Sequence, residues 1–237
     1  MNLPPNGSRA VPHFAANCLG RDFAVGDIHG CFGLLEAELA RVGFDPGRGD
    51  RLFAVGDLVD RGPESHRVLS FLSRPWFHSV RGNHEQMAIQ FACGDLAERA
   101  YSHNGGDWLI RLEPVLRTRF VVAFQTLPIA MTVQVGDRRI GVVHADCPFA
   151  TWADFESALR DNNVLRQYTE FSAMWERSRY VSHGIDSVAD IDAVIVGHTS
   201  VDRPMQLGNV HFIDTGACFQ GGRLTVMNLT ETFGEWR

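Results

Sequence analysis

The chain has 237 residues, of which 45% are hydrophobic and 21% are charged, the composition of one sizeable globular domain. All 22 basic residues are arginine, which excludes sites that depend on a P-loop, Schiff-base or kinase lysine. The 28 acidic residues give a formal net charge of −6, so we expect no nucleic-acid partner.

The beginning of the chain and the pattern of its cysteines indicate the cellular compartment in which the protein is expected. Residues 1–20 carry no signal-peptide pattern and are predicted to be a loosely structured lead-in to a single domain over residues 1–237. The five cysteines are scattered without a CxxC pair, so neither disulfides nor a cysteine zinc site are expected. The apolar stretches are too short to cross a bilayer. We therefore expect a cytoplasmic protein with no membrane partner.

The first half of the chain repeats one pattern three times: a short apolar run, a polar cluster, and apolar residues at helical spacing. The apolar runs cover residues 23–25, 52–55 and 77–80, and the clusters after them are GDIHG, GDLVDRGP and RGNHE. Strands that alternate with helices predict βαβ units and a largely parallel sheet.

The second half adds helical insertions and further strands. Residues 95–127 and, less regularly, 147–190 are predicted to form a helical cap inserted into an α/β domain. Two strands at residues 129–135 and 138–143 flank a Gly-Asp turn, and later strands are predicted at residues 193–196, 210–213 and 224–229.

Metal-ligating residues follow the ends of the predicted strands. Loops at the carboxyl ends of parallel strands converge on one crevice. Carboxylate, imidazole and amide side chains without thiolates suit Mn, Fe or Zn. Six ligands exceed the needs of one tetrahedral ion, which indicates two metals that share a bridging group. The residues collected there are Asp27, His29, Asp57, Asn83, His84, His144 and His198.

Taken singly, each cluster has a plain structural interpretation. Asp27 and Asp57 are common turn residues after a strand, Asn83 could cap a helix, and a lone His is usually structural. Polar clusters of this kind follow five strand ends, and their joint occurrence favours one shared site over five independent turns.

Five motifs in order carry a family resemblance: GDIHG, GDLVDRGP, RGNHE, VHAD and GHT. Together they resemble the calcineurin-like metallophosphoesterase superfamily, specifically its bacteriophage-lambda-type bacterial serine/threonine protein phosphatases. The resemblance implies an α/β fold, a four-layer α-β-β-α sandwich of two mixed sheets with flanking helices and a helical cap insertion. It also implies a dinuclear centre, with manganese preferred and iron or zinc as alternatives.

The resemblance also assigns metal ligands. One ion would be bound by Asp27 and His29, and Asp57 would bridge to the other. The second ion would be bound by Asn83, His144 and His198.

Further residues match the family's catalytic groups. His84 would act as general acid and Asp60 would hold its ring. Arg61, Asn83 and, in the shorter motif MWERSR, Arg177 would bind the phosphate. The implied activity is hydrolysis of phosphate esters by in-line attack of a metal-bridging hydroxide.

The implied substrate is a phosphoprotein or phosphopeptide phosphorylated on serine or threonine, and only dual specificity is left open. A symmetrical diadenosine tetraphosphate hydrolase is the alternative enzyme, because that relative shares a similar first motif. A metal-free scaffold of the same fold is the alternative outside catalysis. Because all six ligand positions and His84 are filled, the sequence favours an enzyme.

Overall fold

A computed structural model describes residues 11–160 and 164–234. The first half of the predicted lead-in therefore lies outside the described residues. In its second half, β1 (His13–Phe14) pairs in parallel with β5 (Ala130–Val135), so this part adds an edge strand rather than a loose segment.

The smaller sheet has four strands in the order β10-β2-β3-β4. The strands β2 (Asp22–Val25), β3 (Arg51–Ala54) and β4 (Phe77–Ser79) are parallel, as predicted from the repeated pattern. Each is followed by a helix: α1 (Phe32–Arg41), α2 (Val68–Leu72) or α3 (Asn83–Cys93). The strand β10 (Val226–Asn228) joins β2 antiparallel.

The larger sheet has six strands in the order β1-β5-β6-β7-β9-β8. The predicted hairpin is confirmed: β5 and β6 (Arg138–Val143) pair antiparallel around Gly136, whose φ of 55° suits the tight turn. Next, β7 (Ala193–Val196) and β9 (Val210–Phe212) pair in parallel, and β8 (Met205–Leu207), which the sequence did not reveal, pairs antiparallel with β9. Both sheets are thus mixed, which corrects the single, largely parallel sheet that the strand pattern alone suggested.

The cap and flanks are helical. The first insertion holds α4 (Glu98–His103), α5 (Asp107–Ile110) and α6 (Pro114–Thr126). The second holds α7 (Trp152–Arg160), α8 (Val164–Trp175) and α9 (Ser178–Ser182), and α10 (Leu229–Phe233) follows the last strand. None of the helices over residues 11–160 and 164–234 is long and apolar enough to cross a membrane.

Three apolar clusters define the layers. One lies between the sheets, where Phe53 and Val55 of the smaller sheet meet Met131, Val133 and Ile195 of the larger one. A second packs helices onto the outer face of the smaller sheet, and a third packs α7 and α8 onto the larger sheet. This stacking is the four-layer α-β-β-α arrangement expected from the resemblance, and it brings the ends of both sheets together.

Candidate metal centre

The six predicted ligands and the predicted general acid converge where the strands of the two sheets end. Loops after β2, β3 and β4 supply residues from the smaller sheet, and loops after β6 and β7 supply them from the larger sheet. All are buried, with at most 7% of any residue exposed, so their polar atoms find their partners inside the protein and not in water. They are Asp27, His29, Asp57, Asn83, His84, His144 and His198.

The ligand loops have unusual backbone geometry. His29, Asp57 and His198 adopt positive φ values of 44°, 47° and 63°, a region that is costly for residues other than glycine and that clusters at functional sites. Neighbouring glycines are required by space, since a Cβ at Gly197 would overlap Asp27 Oδ1 and one at Gly82 would overlap Asp57 Oδ1. The loops therefore hold these side chains close to one another, although the backbone is locally strained.

Three acceptor atoms meet at one side of the site. The Oδ1 of Asn83 lies 2.8 Å from His144 Nε2 and 2.9 Å from His198 Nδ1. The other ring nitrogens donate to backbone carbonyls, His144 Nδ1 to Val55 at 2.8 Å and His198 Nε2 to Trp175 at 3.2 Å. With a cation bound, the nitrogen of each ring that faces Asn83 would offer its lone pair to the ion beside the Asn83 oxygen.

Asp57 connects this side of the site to the other. One of its oxygens, Oδ1, lies 3.4 Å from His144 Nε2, and the other, Oδ2, lies 3.6 Å from His29 Nε2. The latter nitrogen is also 3.9 Å from Asp27 Oδ2, and His29 Nδ1 donates to the Val59 carbonyl at 3.0 Å. Asp57 thus belongs to two groups of potential ligands, one with His29 and His84 and one with His144 and His198. Its position suits a bridging ligand.

The charges of the cluster also fit cations. Burial and the nearby carboxylates Asp214 and Asp57 hold the pKa of Asp27 well above its usual value. Burial opposes ionisation of Asp57 too, but the imidazoles of His144 and His84 outweigh it and hold the pKa of Asp57 well below its usual value. Burial lowers the pKa of both His29 and His198 to about 3, so these rings are neutral, as metal ligation requires.

His84 has a different kind of partner. Its Nδ1 lies 2.8 Å from Asp60 Oδ2, while its Nε2 faces Asp57 Oδ2 at 3.9 Å. The second oxygen of Asp60 accepts from Tyr101 Oη at 3.0 Å and from Trp108 Nε1 at 2.7 Å. No local signal in the sequence connects Trp108 and Tyr101 with Asp60, because these residues lie in the cap, 48 and 41 positions away.

Glu85 is a second feature that sequence reasoning missed. Its carboxylate accepts from the backbone N–H groups of Asp57 at 3.0 Å, Leu58 at 2.8 Å and Gly82 at 2.8 Å. It therefore ties the loop after β3 to the loop after β4. Burial and then the charge of Asp57 raise its pKa. Its position in the RGNHE motif could have indicated a role in the site, but the motif does not show which backbone groups Glu85 would reach.

Two exposed arginines contact histidines of the cluster. The Nη1 of Arg61 lies 2.7 Å from His29 Nε2, and Arg177 Nη2 donates to the His198 carbonyl at 3.1 Å. The structure thus brings together every residue that the motifs predicted, the separate motif of Arg177 included. A planar guanidinium at each flank offers a fork suited to phosphate oxygens.

Known proteins resemble this chain over most of its length. Serine/threonine-protein phosphatase 1 of Salmonella typhimurium is 37% identical over 87% of this chain and 91% of its own. The symmetrical bis(5'-nucleosyl)-tetraphosphatase of Methylococcus capsulatus is 25% identical over 89% of this chain and 92% of its own. The structure of a cold-active protein-tyrosine phosphatase of a psychrophile Shewanella has the same fold, with a TM-score of 0.64, 18% identity, and coverage of 97% of this chain and 82% of that one.

The model of one family, described as calcineurin-like phosphoesterase, matches residues 23–202. That range contains all the potential metal ligands, together with His84, Asp60 and both arginines. The buried cluster, the His84–Asp60 pair and this match lead to the same conclusion: the chain belongs to the calcineurin-like phosphoesterase family and is a phosphoester hydrolase.

Proposed function

We propose that this enzyme is a metal-dependent protein serine/threonine phosphatase. The observation that carries the proposal is the buried cluster in which Asp57 faces two sets of imidazoles while His84, held by Asp60, points at the same carboxylate. The relative named a serine/threonine-protein phosphatase, at 37% identity, supports this substrate class better than the tetraphosphatase relative at 25%.

The ligand set would hold two divalent ions. In this proposal Asp27 and His29 bind one ion and Asp57 bridges the pair. Oxygen and imidazole donors without thiolate favour manganese, with iron and zinc as alternatives. When bound, such a pair supplies a nucleophile at neutral pH and polarises the phosphate oxygens. The ligands of the second ion would be Asn83, His144 and His198.

The other side chains would bind the phosphate and move a proton. Arg61 and Arg177 would clamp phosphate oxygens from either flank, with Asn83 beside them. Because Asp60 accepts from His84 Nδ1, the Nε2 atom would carry the proton that the leaving serine or threonine oxygen receives, opposite the attacking group. Asp60 would also stabilise the protonated ring that precedes this transfer.

We further propose a single domain over residues 1–237 in a bacterial cytoplasm. The pairing of β10 with β2, close to the two ends of the described chain, supports one domain. The cysteines are free thiols at all five positions, which lie within the described residues, as suits a reducing compartment.

A metal analysis combined with a substrate panel tests the proposal. Protein purified without chelator should contain close to two divalent ions per chain by mass spectrometry, and chelation should abolish turnover of p-nitrophenyl phosphate until manganese is restored. Phosphoserine or phosphothreonine peptides should be hydrolysed with a higher kcat/KM than diadenosine tetraphosphate. The reverse preference would favour the tetraphosphatase alternative, and active metal-free protein would contradict the proposed chemistry. Net retention of configuration at phosphorus would contradict direct attack.

A further inference from the structure

The helix α8 has an unusual outer face. Its inner face is buried and includes Thr169, Ser172, Ala173 and Met174. Its two charged residues, the buried Arg166 and the half-buried Glu170, bond each other at 2.6 Å. An outer face is normally polar, but here it carries apolar and aromatic side chains.

The outer residues form one continuous line. Val164 is 80% exposed, and Tyr168 and Phe171 are each 59% exposed. With the half-buried Trp175 they are spaced by four, three and four residues, which places them on one side of a helix. The rings of Phe171 and Trp175 stack with centroids 6.3 Å apart and an interplanar angle of 19°. We name these four residues the α8 stripe.

The α8 stripe ends at the metal centre. The carbonyl of Trp175 accepts from His198 Nε2 at 3.2 Å, and its ring lies edge-on to the His198 ring with centroids 6.2 Å apart. Arg177, which contacts the same histidine, follows two residues later. A group bound along the stripe would therefore continue directly from a phosphate held at the centre.

We propose that the α8 stripe binds apolar side chains that flank the phosphorylated residue of a polypeptide substrate, an inference that rests on the proposed phosphatase function. From Val164 to Trp175 the stripe rises about 16 Å at 1.5 Å per residue, the span of about five extended residues. A single nucleobase is much shorter than the stripe and would cover only one of its rings. The uncharged outer face selects apolar neighbours of the phosphate over charged ones.

Two phosphothreonine peptides of equal length and charge test the inference. One has Leu and Phe on both flanks of the phosphothreonine, and the other has Gly and Ser there. The wild-type enzyme should hydrolyse the apolar peptide with about tenfold higher kcat/KM, mainly through KM, a difference of about 1.4 kcal/mol. Phe171→Ser and Tyr168→Ser should each reduce that preference to about threefold or less, while turnover of p-nitrophenyl phosphate stays unchanged.

A matched control separates the stripe from apolar surface in general. Val115 of α6 is 78% exposed, and Val115→Ser should keep the full preference. Equal hydrolysis of the two peptides by the wild type would overturn the inference and leave the phosphatase function standing. Failure to hydrolyse either peptide, with diadenosine tetraphosphate cleaved, would overturn both.

Two other occupants of the stripe would also overturn the inference. If light scattering shows a wild-type dimer that Phe171→Ser converts to a monomer, the stripe is a contact between two copies of the chain. If the wild type hydrolyses the two peptides equally, and removal of residues 1–10 creates a preference for the apolar peptide while turnover of p-nitrophenyl phosphate stays unchanged, the beginning of the chain occupies the stripe. A monomer whose peptide preference survives that removal supports the inference.

Discussion

The imidazoles of the centre are fixed in two different ways. On the ligand side, His29, His144 and His198 each donate a ring N–H to a backbone carbonyl. On the cap side, His84 bonds instead to a carboxylate, that of Asp60. The ring partner therefore differs according to the role that we propose for each histidine.

The difference has a chemical reason. A carbonyl can only accept a hydrogen bond, so it fixes one tautomer of a neutral ring and leaves the lone pair of the opposite nitrogen for a metal. A carboxylate also stabilises the ring when it is protonated, which a general acid requires. The same side chain is thus suited to two tasks by its hydrogen-bond partner, and substitutions can separate the two.

The largest effect is expected from His84→Asn. Loss of the general acid should lower kcat for a phosphothreonine peptide, whose alkoxide leaving group needs protonation, by about 10²–10⁴-fold. Both metals should remain bound, because the contact with Asp57 Oδ1 comes from the backbone N–H of residue 84, which the variant keeps. Turnover and metal content of one preparation check this. His66→Asn, at an exposed position, is the control, and an unchanged kcat would refute the role of His84.

Asp57→Asn should act on the ligand side instead. Loss of the bridging charge should lower the apparent metal affinity by more than about 100-fold, beyond the usual effect of changes around the ligands. Calorimetric titration of chelator-treated protein with manganese measures this affinity. Asp137→Asn in the exposed hairpin turn is the matched control. Full metal content with normal affinity would contradict the bridging position.

A smaller effect is expected from changes to the residues that hold the His84 ring. Asp60→Asn should lower kcat by about 10–100-fold with little change in metal content. Tyr101→Phe removes one of the three side-chain hydrogen bonds to the Asp60 carboxylate and should lower kcat by about threefold to tenfold. The pH profile of kcat should shift in both variants, since a purely structural role would leave it in place. Tyr180→Phe, in α9, is the control, and a profile equal to that of the wild type would refute the positioning role.

The smallest effect concerns an imidazole outside the site. His78 packs against the rings of Phe14 and Phe53 at 4.5 and 5.2 Å, and burial lowers its pKa to about 4. The unfolded chain protonates His78 near its ordinary value of about 6.5, so its contribution to stability is complete above that pH and is lost as the pH falls towards 4.

His78→Phe should therefore lose less stability on acidification than the wild type. Between pH 7.5 and 5, the fall in Tm should be smaller by about 2–4 °C, the shift produced by about 1 kcal/mol once partial solvent exposure is allowed for. Thermal unfolding followed by circular dichroism measures both proteins. The exposed variant His103→Asn should follow the wild type. An equal fall in His78→Phe would show that burial of this ring is not linked to pH.

Much of the centre could be predicted because its signals are local. Each cluster of ligands directly follows an apolar strand, and parallel strand ends meet at one edge whatever the distance along the chain. The partners of Asp60 had no such signal, since Tyr101 and Trp108 come from cap helices. The short strands β1 and β8 carried too few residues for a pattern, and their pairing depends on the neighbouring strands.

The sequence by itself predicted which residues come together in the centre, because the motifs place each of them beside a strand end. It also determined that any basic side chain at the centre other than histidine is an arginine, because the chain contains no lysine. Only the tertiary structure decided how the rings of His29, His144 and His198 are held, since the carbonyl partner of each ring comes from another segment of the chain. It likewise decided which side of α8 faces solvent, because an apolar pattern does not reveal whether the sheet or a partner will cover it.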